Sequence, residues 1–144
     1  MKVRLAVRTT GVGVGAAAWE IRTGATPGQW RLIELKIFLA AATASVYGLG
    51  QPAAIGVTPT TPVDFLLDDP SDVLATGVVQ SALAWATGPT VPANFDERIS
   101  IGGAIGNGGI FTFPQGLVIP VSSSLVLWNI TANGVIDAQA VLEL

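Results

Sequence analysis

The sequence predicts an all-β fold: a two-sheet antiparallel β-sandwich of about eight strands, with jelly-roll topology as the preferred winding. Three observations predict it. Apolar residues recur at alternate positions or in short continuous runs, the pattern of strands with one or both faces covered. Glycine and proline, 17 and 9 in number, break those runs at close intervals. No stretch sustains the spacing of an amphipathic helix. The 144 residues fit one domain, 1–144, large enough to bury a core without disulfides or a structural metal.

The elements follow in order. In 3–8, Val3, Leu5 and Val7 face one way and Lys2, Arg4, Ala6 and Arg8 the other. That predicts a half-buried strand with a basic outer face, a basic N-terminal strand or arm at about 1–10. Residues 11–18 read as a small-residue loop. Gly11, Gly13 and Gly15 precede no helix pattern or phosphate-binding lysine, so the loop is not a nucleotide cradle. An extended segment at 19–22 leads to a turn at Thr26, Pro27, Gly28 and Gln29. The strongest strand is 30–42, with Arg31, Ile33, Leu35, Ile37 and Leu39 on one face and Trp30, Leu32, Glu34, Lys36 and Phe38 on the other. Residues 41–47 read as that strand continuing into a turn at Gly48 and Gly50.

Short strands at 55–57 and 63–67 flank a proline-bearing connection, and Asp68, Asp69, Pro70, Ser71 and Asp72 make a polar turn. A long strand is expected over 75–87, with Gly77, Val79, Ser81, Leu83 and Trp85 on one face and a stop at Gly88 and Pro89. Strands at 98–101 and 110–113 flank a glycine-rich tip. Asn133 and Gly134 tolerate the positive φ of a tight turn, so 125–131 and 135–142 read as a hairpin. Ile136, Ala138, Ala140 and Leu142 supply its apolar face.

Composition narrows function. Charged residues make up 12% of the chain, where a soluble domain carries about 25%. Mean hydropathy is +0.58. Such a chain either enters a membrane or covers part of its surface with other molecules. The uncharged run between Lys36 and Asp64 is broken by Gly48, Gly50, Pro52, Pro59 and Pro62, and 1–8 alternates charged with apolar residues. No membrane span and no signal peptide are therefore expected. Six cations (Lys2, Arg4, Arg8, Arg22, Arg31, Lys36) lie at or before residue 36, and Arg98 alone follows, among eight acids. Lys2, Arg4 and Arg8 are the candidate contacts to an acidic partner. With few cations and a net charge of −3, nucleic acid is not an expected partner.

The chain has no cysteine and no histidine, which excludes thiol nucleophiles, imidazole bases and the usual zinc sites. The serines lack an activating histidine, and neighbouring acids such as Asp68 and Asp69, or Asp96 and Glu97, point to opposite sides of an extended segment. No enzyme, no cofactor and no metal are expected. Asp64, Asp68, Asp69 and Asp72 offer oxygen ligands of the kind calcium takes, but without the glycine and glutamate of an EF-hand. The expected reading is a solvated turn formed by Asp68 or Asp69. Trp19, Trp30, Trp85 and Trp128 are expected in the core, with a sugar-binding platform as the alternative.

One segment carries a resemblance. Gly116, Leu117, Val118, Ile119 and Pro120, then a polar turn at Ser122–Ser124, then Leu125, Val126, Leu127 and Trp128, resemble the late strands of small jelly-roll capsid decoration, or cement, proteins of tailed bacteriophages. The stretch 30–65 is similar in flavour, and together the segments span roughly half the chain. The resemblance implies a structural virion protein on the capsid surface, made in the host cytoplasm. It further implies a homotrimer that binds the major capsid protein and stabilises the head shell. The alternative keeps the fold but makes it a receptor- or carbohydrate-binding module of a phage tail or fibre, using exposed tryptophans and the loop at 102–109.

Overall fold

A computed structural model describes residues 1–131 and 134–144. Among them the strands are β1 (Lys2–Arg8), β2 (Ala17–Thr23), β3 (Trp30–Leu39), β4 (Ser45–Gly50), β5 (Val57–Pro59), β6 (Val63–Asp64) and β7 (Leu66–Leu67). Then come β8 (Val79–Ala82), β9 (Trp85–Thr87), β10 (Glu97–Ile101), β11 (Gly108–Ile119), β12 (Ser124–Asn129) and β13 (Ile136–Glu143). No described residue is helical.

The longer strands pair from the outside of the sequence inward: β1 with β13, β2 with β12, β3 with β11, β4 with β10. That is the nesting of one long antiparallel hairpin. Folded over, it sends the first and third pairs to one sheet and the second and fourth to the other, the winding of a jelly roll. The sheets are five-stranded, β11-β3-β13-β1-β7, and six-stranded, β10-β4-β12-β2-β8-β6. Between them Trp19, Trp30, Leu35, Tyr47, Leu127 and Ile136 are fully buried. The indole of Trp19 donates to the Ser81 hydroxyl at 2.7 Å and stacks on Phe65. The protein exposes 6792 Å², close to the roughly 6,900 Å² of a compact monomer of this mass. Residues 2–8 are accordingly a sheet strand, held between β13 and β7.

Four local expectations are corrected. In β3, Trp30 and Leu32 face the core together with Leu35, Ile37 and Leu39, not opposite them. Leu32 stands beside Leu142 and Glu34 beside Val141, which leaves Ile33 as an extra residue without a partner on β13. One such bulge inverts the alternation of everything before it. Second, the chain leaves β3 at Leu39 and crosses to the other sheet, where β4 runs through Gly48 to Gly50. Glycine is needed at 48 because a Cβ would lie 2.7 Å from the ring of Phe95.

Third, 75–87 is not one strand: Gly77 turns at φ 82°, β8 begins at Val79, and β9 pairs with β5 in a small separate sheet. Fourth, the expected turn at Asn133 lies outside the described residues, but β12 and β13 do not pair with each other. β12 lies between β2 and β4 in one sheet, and β13 between β1 and β3 in the other. Each strand is instead paired on both sides within its own sheet, β12 with β2 and β4 and β13 with β1 and β3.

Candidate interaction surface

The outer face of the five-stranded sheet collects the cations that the sequence clusters near its start. Because β1 alternates, Lys2, Arg4, Ala6 and Arg8 are exposed while Val3 is buried. The register sets acids and cations side by side: Lys2 beside Glu143 and Glu143 beside Arg31, and Arg8 beside Asp137. Arg8 clamps Asp137 with two hydrogen bonds, Nε to Oδ1 at 2.7 Å and a terminal nitrogen to Oδ2 at 2.8 Å. That hydrogen bonding holds the Asp137 carboxyl below the usual carboxylate range and pushes the Arg8 guanidinium up. Arg4 pairs with Asp68, and Lys36 lies 3.6 Å from Glu34. The structure therefore brings Lys2, Arg4 and Arg8 together on one strand face and gives two of them acidic partners within the chain. Two fifths or more of the Arg4 and Arg8 side chains stays exposed, so solvent screens both pairs and they contribute little to folding.

On the six-stranded sheet the outer face is covered. The small β5–β9 sheet, an Ala54–Thr90 bridge and Phe95 lie over Ala17, Val126 and Trp128. Glu20 fastens this cover. Its side chain is fully buried, with Oε1 accepting from Arg22 at 2.7 Å and from the Trp85 indole at 2.9 Å. Its Oε2 accepts from the Gly56 N–H at 3.0 Å and the Ser124 hydroxyl at 2.9 Å. Arg22 also donates to the Gly56 carbonyl at 2.7 Å. A buried carboxylate needs such partners to remain charged at modest cost. Sequence reasoning missed this site. The available signal was an acid and a cation two apart on one face of a strand, but nothing local says that residues from 54 and 85 onward cover that face.

The acidic stretch disperses. Asp64 accepts from the Gly77 N–H and the Gln80 amide, Asp68 meets Arg4, and Asp69 accepts from the backbone and hydroxyl of Ser71. Asp69 is thus the turn-forming residue, and these bonds keep its carboxyl below the usual range. No group of three acids gathers as a metal site among the described residues. Trp19, Trp30 and Trp128 are buried, while Trp85 is partly buried and bonded to Glu20.

The two rims of the sandwich stay open. At one, the edge strands β10 and β11 flank a groove lined by Ile99, Phe111 and Phe113, with Ile110 exposed beside it. At the other, β7 covers β1 only at Val3 and Arg4, and a groove beyond it is lined by Leu5, Val7, Val63 and Leu83. No helix among the described residues is long and apolar enough to cross a membrane. Comparison of the chain with protein-family models, with curated proteins and with solved structures found no match.

Proposed function

We propose that this chain is a non-catalytic structural virion protein, a capsid decoration or cement protein that binds the major capsid protein of a bacteriophage head shell as a homotrimer and stabilises it. The observation that carries the reading is the pair of open rims, each with a largely apolar groove edged by polar side chains, on a chain with 12% charged residues. Apolar grooves beside unpaired strand edges are surfaces that assembly covers. The segment resembling the decoration proteins supports it from a second side: Gly116 to Ile119 ends β11 and Leu125 to Trp128 lies within β12, one strand in each sheet, joined by Pro120 and the polar turn. The jelly-roll winding fits a small rigid block that presents faces and rims to neighbours.

The test is the mass of the purified protein in solution, followed by sedimentation with head shells lacking it. A trimer that pellets with shells and raises their resistance to heat is the expected result. A single-copy species that stays in the supernatant at high concentration overturns the proposal.

A further inference from the structure

The rows of the five-stranded sheet run straight across its outer face. In one, Ala6 stands beside Gln139, Gln139 beside Lys36 and Lys36 beside Ile110. In the next, the order is Arg8, Asp137, Phe38, Gly108. Each row ends at two open edges, and the backbone groups there can be assigned. The Met1 carbonyl accepts from the Leu144 N–H and the Thr9 N–H donates to the Ile136 carbonyl, whereas the Lys2 carbonyl accepts from Asp68 on the opposite side. Alternation along β1 therefore turns Ala6 and Arg8 away from β13, past the end of β7. At the other rim Leu39 donates to the Asn107 carbonyl at 2.8 Å, so Gly109 and Phe111 bond toward β3 and Gly108, Ile110 and Thr112 face outward.

The two edges match in four respects. They lie at the same level of the sheet, in the rows of Ala6 and Arg8. The strand order β11-β3-β13-β1 is antiparallel at each step, so β11 of a copy in the same orientation would run antiparallel to β1. At both edges the outward backbone groups belong to residues whose side chains lie on the outer face, so Leu5 and Val7 would meet Phe111 and Phe113 on the inner one. The rims also differ in charge: Lys2, Arg4 and Arg8 on the β1 side, and Asp96 and Glu97 with Arg98 on the other, all exposed.

We infer that copies of this chain join head to tail, the 108–112 edge of one adding antiparallel to the 5–8 edge of the next, so that the sheet continues around a closed ring. The inference rests on the assembly reading above and names its interface. Head-to-tail contacts close into rings when the rotation permits, and the proposed trimer is such a ring.

The chain has no cysteine, so an introduced pair reports contact cleanly. Ala6→Cys is combined with Ile110→Cys, and separately with Thr112→Cys, followed by mild oxidation. Directly bonded antiparallel residues stand about 5.5 Å apart, inside the range a disulfide bridges. One of the two pairs should link copies covalently on a denaturing gel, in a ladder ending at the number of subunits found in solution. Ile110→Pro removes an N–H that faces away from β3 and bonds nothing among the described residues, and it should leave the circular dichroism unchanged while yielding single copies. If the wild type associates but neither pair links, or if folded Ile110→Pro keeps the wild-type mass, the edge contact is wrong and the assembly reading stands. A wild type that never associates removes both. Should Ile110→Pro fail to fold, the cysteine pairs decide alone.

Discussion

Glu20 is the one acidic or basic side chain among the described residues that is fully withdrawn from solvent. Its two oxygens accept four hydrogen bonds, from Arg22, Trp85, Gly56 and Ser124. Removing one member of a buried charged network strands the others, at a cost of about 3–5 kcal/mol. Glu20→Ala should therefore lower the unfolding free energy by about 3 kcal/mol in urea titration. Glu20→Gln should lose less, because the Ser124 hydroxyl can reverse and accept from the new amide. A loss below about 1 kcal/mol for Glu20→Ala would show that the network does not hold the cover. Arg8 and Asp137 make the opposite case, because both are solvent-exposed. Arg8 holds the Asp137 carboxyl below the ordinary value of about 3.9, so the pair stabilises the fold above that pH. The contribution fades as pH falls through the depressed folded value. Asp137→Asn should melt slightly below the wild type at about pH 7, and the gap should close as the pH falls through the depressed folded value, by the same linkage. A gap that persists unchanged in acid would assign the effect to something other than this titration.

Strand positions were legible in the sequence wherever alternation is local, as in β1 and β10, but strand pairing was not. Residues 125–131 and 135–142 look like hairpin partners because a turn sequence separates neighbours, yet the nested winding sends β12 and β13 to opposite sheets. The choice depends on which long strand offers the better partner, and that is not encoded nearby. The two faces of β3 were misread for a related reason: Ile33 is an extra residue, visible only once Leu142 and Val141 lie opposite it. Glycines inside strands carry the same lesson. Gly48 looked like a turn but is the seat of Phe95, from a segment nearly fifty residues later. Gly48→Ala should force the Phe95 ring outward and cost about 1–3 kcal/mol by overpacking. Gly13→Ala, with nothing near its added methyl, should leave the melting temperature almost unchanged. Equal effects of the two substitutions would mean that the Phe95 contact does not matter to the element.

At the scale of the whole molecule, the uneven distribution of charge along the chain is partly compensated in space. The first 36 residues are strongly basic and the remainder acidic, but Arg8 meets Asp137 and Arg4 meets Asp68 because the first strand lies between the last strand and β7. The basic character was legible; its local compensation was not, since it follows from the nested topology. The acidic partner proposed above would therefore meet a face whose cations are partly satisfied, and any attraction to Lys2, Arg4 and Arg8 would act through what remains exposed. Such attraction depends on salt, because the screening length shrinks from about 30 Å at 0.01 M to about 3 Å at 1 M. Reversing Lys2, Arg4 and Arg8 to glutamate should weaken attachment to head shells more at low salt than at high, read as the fraction pelleted with shells. The same reversal also breaks two internal pairs, so a second variant is needed. Exchanging Arg8 and Asp137 with each other keeps their pair and their summed charge while moving the cation one strand over. If the partner reads the position of the cation, the exchange should lower attachment at low salt with little change in melting temperature. If it pellets as well as the wild type while the triple reversal does not, the partner responds to the net field of the face and not to Arg8 in place. Attachment by the triple reversal that equals the wild type at both salt concentrations would remove these three residues from the interface.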